Sequence, residues 1–251
     1  MDSKTSITFC SGVSTVTGAN FLLETSSGSR ILIDCGMIQG EKFSEEMNRE
    51  HFLYEPGLIQ ALIVTHAHLD HVGRIPKLVK EGFKGVIYST PETKDLAVLV
   101  MEDAAGILAM DAERDGVDPL YTLNDVQAVY PLWKTIPYHQ SVQITSDISI
   151  FLKDAGHILG SSMVEISAPS FAEATEGKQV RKSSSSGAGG IQDADESNGG
   201  LVKILFTGDL GNSPAPLLRD TEEIGEVDYL VMESTYGDKN HDPKELRVSE
   251  F

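Results

Sequence analysis

The sequence predicts an α/β fold, and three observations lead there. Short apolar runs of strand length alternate with segments whose apolar residues recur at helical spacing. Several of those runs end in an Asp, Glu or His, and open α/β sheets gather ligands beyond the carboxyl ends of their strands. The length, 251 residues with 40% hydrophobic and 23% charged content, suits a globular chain with one large α/β domain or two small ones.

Taken in order, residues 7–38 read as successive short strands, ITFC, NFLLET and RILIDCG, with Ser26-Ser27-Gly28-Ser29 as the turn between the last two. ALIVTH is a continuous apolar run, as in a strand buried on both faces. Residues 70–81 carry Val72, Ile75, Leu78 and Val79 at helical spacing, with Gly82 placed as the C-terminal cap. VIYST is a further strand. Residues 91–115 form the longest helical pattern, with an apolar face through Leu96, Leu99, Val100 and Leu108 and with Met101 and Met110 as core filling. Thr122 and Asp125 have the spacing of a capping box ahead of a short helix. ISIFLKDAG, SMVEIS, VKILFTG and DYLVMES then return to strands. Between the second and third of these, residues 169–200 contain SSSSGAGG and ESNGG and too few aliphatic side chains to order themselves, so the segment reads as a disordered insertion between neighbouring strands.

Composition narrows the function classes. The net charge of −18 provides no basic footprint of the kind that nucleic-acid binders use against phosphates, so a polyanionic substrate must be held by local features. No apolar run approaches the roughly 18 residues of a membrane span, which predicts no membrane partner. Cys10 and Cys35 are too few for a disulfide framework, and the first residues lack a secretory layout, so the expected compartment is the cytoplasm.

The chemistry concentrates in His66-Ala67-His68-Leu69-Asp70-His71, which holds three of the seven histidines. Imidazole nitrogen and carboxylate oxygen are the usual ligands of zinc-like cations. The alternative is a polar loop whose histidines only cap and hydrogen-bond. Four strand ends weigh against it: ILI ends at Asp34, ALIVT at His66, KILFTG at Asp209 and DYLVM at Glu233, which points to one shared crevice. His157, between Gly156 and Gly160, supplies a third imidazole to complete a tripodal site with His66 and His68. His51, His139 and His241 have no partner pattern and read as surface or core residues.

HAHLDH, followed in order by GHILGS, FTGDLG and ESTYG and preceded by ILIDCGMIQG, resembles the metallo-β-lactamase superfamily, and within it the β-CASP ribonucleases of mRNA 3′-end processing and their bacterial and archaeal relatives. The resemblance covers residues 5 to about 240. It implies a four-layer αββα sandwich over residues 1–236, with 237–251 as the start of a truncated β-CASP domain. It further implies that His66, His68 and His157 bind one zinc, that Asp70 and His71 bind a second, and that Asp209 bridges them. Asp34 would orient the histidine cluster from behind. Glu233 would hold a catalytic histidine lying further along the family's chain, which makes Asp70, Asp209 and Glu233 the expected catalytic carboxylates. The implied reaction is hydrolysis of RNA phosphodiesters by a hydroxide between two zinc ions. Ser161 and nearby backbone N–H groups would then help to position the phosphate. RNA is the implied partner, with a homodimer or an RNA-processing complex as the assembly.

The family places two further histidines after its inserted domain, whereas this chain stops at Phe251, in what reads as the first helix of that insertion. The expectation is therefore an N-terminal portion that binds one zinc tightly and the other weakly, with little nuclease activity. Two other functions fit the same fold: a hydrolase of small esters or thioesters, and a non-catalytic scaffold subunit of an RNA-processing complex.

Overall fold

A computed structural model of the chain describes residues 5–13, 15–40, 43–170, 200–212 and 217–238. Two sheets face each other. The first runs in the order β1 (Ser6–Ser11), β2 (Asn20–Glu24), β3 (Arg30–Ile33), β4 (Ala61–Ile63), β5 (Val86–Ser89), β6 (Trp133–Thr135), with antiparallel pairing up to β3 and parallel pairing from β3 onwards. The second runs β11 (Tyr229–Val231), β10 (Leu201–Phe206), β9 (Ser162–Pro169), β8 (Ser149–Asp154), β7 (Ser141–Gln143), antiparallel except for the β10–β11 pair. The alternation of side chains along a strand splits the core in two. Ile31, Ile33 and Ile63 from the first sheet pack against Ile150, Leu152, Val164, Ile166 and Phe206 from the second. Leu32, Leu62, Val64 and Ile87 point the other way, onto the helices.

Those helices are α1 (Ser44–Arg49), α2 (Leu69–Val72), α3 (Ile75–Lys80), α4 (Pro91–Asp115) and α5 (Leu123–Val129). The outer face of the second sheet, at Ala155, Met163, Leu205 and Leu230, packs with Leu210, Ile224 and Val227. The α/β class with two stacked sheets thus holds. Among the described residues, the helical layer lies on the first sheet only.

Most elements fall where the periodicity puts them. Helix α4 starts at its Thr90 cap with Pro91 in the first turn and stops at Gly116, φ +68°. The capping box of α5 is present in both directions. Three expectations need correction. The segment 70–81 is two helices, because Pro76 has no N–H to give and fits only a first turn, so the helix restarts at Ile75. On α4 the buried face is Ala97, Met101, Ala104, Ala105 and Ala112, while Leu99 and Met110 are exposed. At about 100° per residue those two sit nearly opposite Met101, and the small alanines let the helix lie close to the sheet. Strands β6 and β7 went unpredicted because three residues are too few to show alternation. The insertion at 169–200 does separate strands that pair, Pro169 opposite Leu201; its disorder, like His241 and nearly all of 237–251, lies outside the described residues.

Candidate metal centre

The site lies where β3, β4, β10 and β11 run out. After β4 the chain passes through Thr65 and His66, both buried, to His68, which opens α2 and leaves Asp70 and His71 in its first turn. The loop after β3 lies along this turn, with Cys35 N donating to His71 O at 2.9 Å and Met37 N to Leu69 O at 3.0 Å, and Ala19, just before β2, adds N–H to Asp70 O at 2.9 Å. The approach is so close that a Cβ on Gly36 would stand 1.5 Å from Asp70 O, which explains a glycine there.

Three imidazole nitrogens converge. His66 Nε2 and His157 Nε2 each lie 3.1 Å from His68 Nδ1, and both lie 3.7 Å from Asp209 Oδ2. Four ligands around a tetrahedral zinc stand about 3.3 Å apart, so these donors fit one such ion. A second group is built from His71 Nε2, which is 3.2 Å from Asp209 Oδ1 and 3.9 Å from Asp70 Oδ2. The two oxygens of Asp209 therefore face different groups, and the ligand atoms of each set fall within 4.8 Å of one another. Nitrogen and oxygen donors in these numbers suit zinc-like cations.

The electrostatics separate the two groups. Burial and the neighbouring histidines hold His66 well below the usual imidazole range, and burial with His157 lowers His68. Burial also disfavours charge on His71, but Asp34 and Asp209 outweigh it and raise its pKa to about 10. Burial raises Asp70, whereas at Asp209 the hydrogen bond and charge of His71 outweigh burial and lower it.

Behind the ligands stands Asp34, buried and in the left-handed region at φ +56°, a backbone state seldom used by a residue with a side chain. Its Oδ1 accepts from Thr65 N at 2.8 Å; its Oδ2 accepts from Thr65 Oγ1 at 2.8 Å and pairs with His71 Nδ1 at 2.7 Å. Asn20 donates to the Asp34 carbonyl at 2.7 Å and in turn accepts from Tyr54. Glu233 is at the site edge, where its carboxylate accepts from Leu210 N at 2.8 Å and so holds the loop that carries Asp209. Ser161 is buried, and its hydroxyl accepts from His157 N and Ile158 N at 3.0 and 3.2 Å. It ties the His157 turn together rather than facing a ligand.

The structure thus brings together His66, His68, Asp70, His71, His157 and Asp209, with Asp34 and Glu233 in supporting contact. His51 is exposed, and His139 pairs with Glu222 at the surface, 2.8 Å away. Thr65, Asn20 and Thr207 were missed. The signal for Thr65 was its place between an apolar strand and the first histidine. Thr207, whose Oγ1 takes Glu233 N at 3.3 Å, had the same kind of place before Gly208-Asp209. Beside the second group opens a cavity of about 450 Å³ lined by Phe9, Phe21, Phe206, His71, Asp209 and Glu233, among others.

Known proteins resemble this chain over most of its length. A family model described as the metallo-beta-lactamase superfamily domain matches residues 22–172. Ribonuclease TTHA0252 of Thermus thermophilus is 32% identical over 236 residues, covering 94% of this chain and 45% of that protein. Transcription termination factor FttA of Pyrococcus abyssi is 33% identical over 232 residues, covering 89% of this chain and 31% of that protein. FttA of Methanosarcina mazei is 32% identical over 240 residues, covering 93% and 32%. The chain spans less than half the length of each of these relatives.

Proposed function

The chain belongs to the metallo-beta-lactamase superfamily, and on that premise we propose that it carries a two-zinc centre that hydrolyses RNA phosphodiester bonds, in the manner of the β-CASP branch. The observation that carries this reading is the split carboxylate of Asp209, with Oδ2 toward His66 and His157 and Oδ1 toward His71. His66, His68 and His157 would hold one ion and Asp70 and His71 the other, with Asp209 offering an oxygen to each group. Bound there, such cations make water acidic enough to supply a nucleophile at neutral pH and offset charge growing on phosphoryl oxygens.

The chain's own residues set the geometry. Asp34 fixes His71 and the backbone of Thr65. Glu233, through Leu210 N, keeps Asp209 at its position between the groups. The first group has four candidate donors and the second three, which supports tight binding at the first and weaker binding at the second. RNA is favoured as substrate by the printed functions of the relatives, a ribonuclease and termination factors. With a net charge of −18, the cations themselves are the anchor for phosphate. Residues 1–236 form the catalytic domain in this reading. Among the described residues no helix is long and apolar enough to cross a membrane, and two free cysteines suit a reducing cytoplasm.

The test is hydrolysis of a labelled RNA beside small thioesters and lactones, with wild type and His68→Ala. Weak RNA cleavage that His68→Ala lowers by at least about 100-fold is expected, on the scale of losing a group that stabilises the transition state. Cleavage of the small esters in preference to RNA would instead make this an esterase of the same fold.

A further inference from the structure

Thr65 has a single hydroxyl proton and two lone pairs to distribute, and three groups face it. Asp34 Oδ2 is at 2.8 Å, His66 Nδ1 at 3.1 Å and His71 Nδ1 at 3.3 Å. A carboxylate oxygen only accepts, so the Thr65 proton goes to Asp34. What remains on the hydroxyl is acceptor capacity, so the His66 nitrogen facing it must carry a hydrogen. His71 Nδ1 has its own, shorter contact with Asp34 Oδ2 at 2.7 Å. The two buried imidazoles are therefore anchored separately, His71 by Asp34 and His66 by Thr65.

Thr65 is itself held firmly. Its carbonyl accepts from Ser162 N at 2.8 Å and Ser162 Oγ at 3.2 Å, across the sandwich in β9. A Cβ on Gly208, next to Asp209, would come within 2.8 Å of Thr65 Cβ. Its branched side chain has few rotamers to choose from, and this packing selects the one that aims the hydroxyl at Asp34 and His66.

We infer that Thr65 is a positioning residue for His66: its hydroxyl fixes the tautomer that carries hydrogen on Nδ1 and leaves the Nε2 lone pair directed at His68 and Asp209 before any cation arrives. The inference rests on the metal reading above for its purpose, but the tautomer can be observed without metal. Asp34 alone cannot do this, because among the described residues its carboxylate bonds to Thr65 and His71 and not to His66.

Two measurements decide it. In metal-free wild type labelled with ¹⁵N-histidine, two-bond ¹H–¹⁵N couplings should report His66 with hydrogen on Nδ1; hydrogen on Nε2 overturns the inference. In a chelator-competition titration with Zn²⁺, Thr65→Val should weaken binding by about 10- to 100-fold, the range for partners of metal-ligating histidines. Thr65→Ser, which restores the hydroxyl, should return to within about threefold of wild type on the same scale. Thr65→Val that binds as tightly as wild type contradicts the inference and leaves the metal reading standing. A wild-type chain that takes up no Zn²⁺ overturns the metal reading itself. If Thr65→Val does not fold, the wild-type tautomer alone decides.

Discussion

His66 and His71 are five residues apart in the same buried centre, yet their surroundings drive them in opposite directions. His66 has other imidazoles for neighbours and stays neutral; His71 lies between Asp34 and Asp209, which raise its pKa to about 10 against burial. In the metal-free chain the protonated His71 therefore stabilises the fold fully below about pH 6.5 and loses that contribution as pH rises through about 10. A cation at Asp70, His71 and Asp209 must displace this proton, so its affinity should rise with pH by up to about tenfold per unit between these limits. Calorimetry of zinc binding in buffers of different ionisation enthalpy measures the proton released; a pH-independent second site would contradict the assignment. At this scale the sequence was legible wherever a residue type is rare and chemically loaded. The histidines stand out by their clustering and rarity, and Asp34, His66, Asp209 and Glu233 by their places at strand ends. Thr65 and Asn20 did not, because a threonine or asparagine beside a strand is ordinary until its hydrogen-bond partners are known.

The elements position the centre by backbone contact more than by side-chain bulk. The loop after β3 lies on the first turn of α2, and Gly36 is the point of closest approach, 1.5 Å from Asp70 O for an added Cβ. Backbone atoms cannot move aside cheaply, so Gly36→Ala should lower stability by about 3 kcal/mol, the upper end for overpacking. It should also weaken zinc binding, since it moves Asp70 and His71. Urea denaturation of the metal-free variant checks this, and an unchanged midpoint would mean that the loop and helix are not in contact. Caps and turn residues made the long elements readable: Thr90, Pro91 and Gly116 bound α4 at both ends. The face of α4 was misread because bulky leucines drew attention away from the alanines that the sheet contacts. Three-residue strands such as β6 carry no periodicity and take their structure from their neighbours.

At the scale of the molecule, two sheets bring donor residues up to 143 positions apart, from His66 to Asp209, into one centre. No local pattern encodes that convergence; strand ends hinted at it, and pairing of the sheets achieves it. On the proposed reading, the net charge of −18 repels polyanions in general, and cations held at the centre would attract one phosphate in particular. The account stands on the two groups of ligands that share Asp209. Equilibrium dialysis against zinc, with metal content read by mass spectrometry, tests this most directly. The account predicts two classes of site on wild type, one tight and one weaker, with the tight class lost in His68→Ala. A chain that holds no zinc, or a His68→Ala variant that holds it as tightly as wild type, would contradict it.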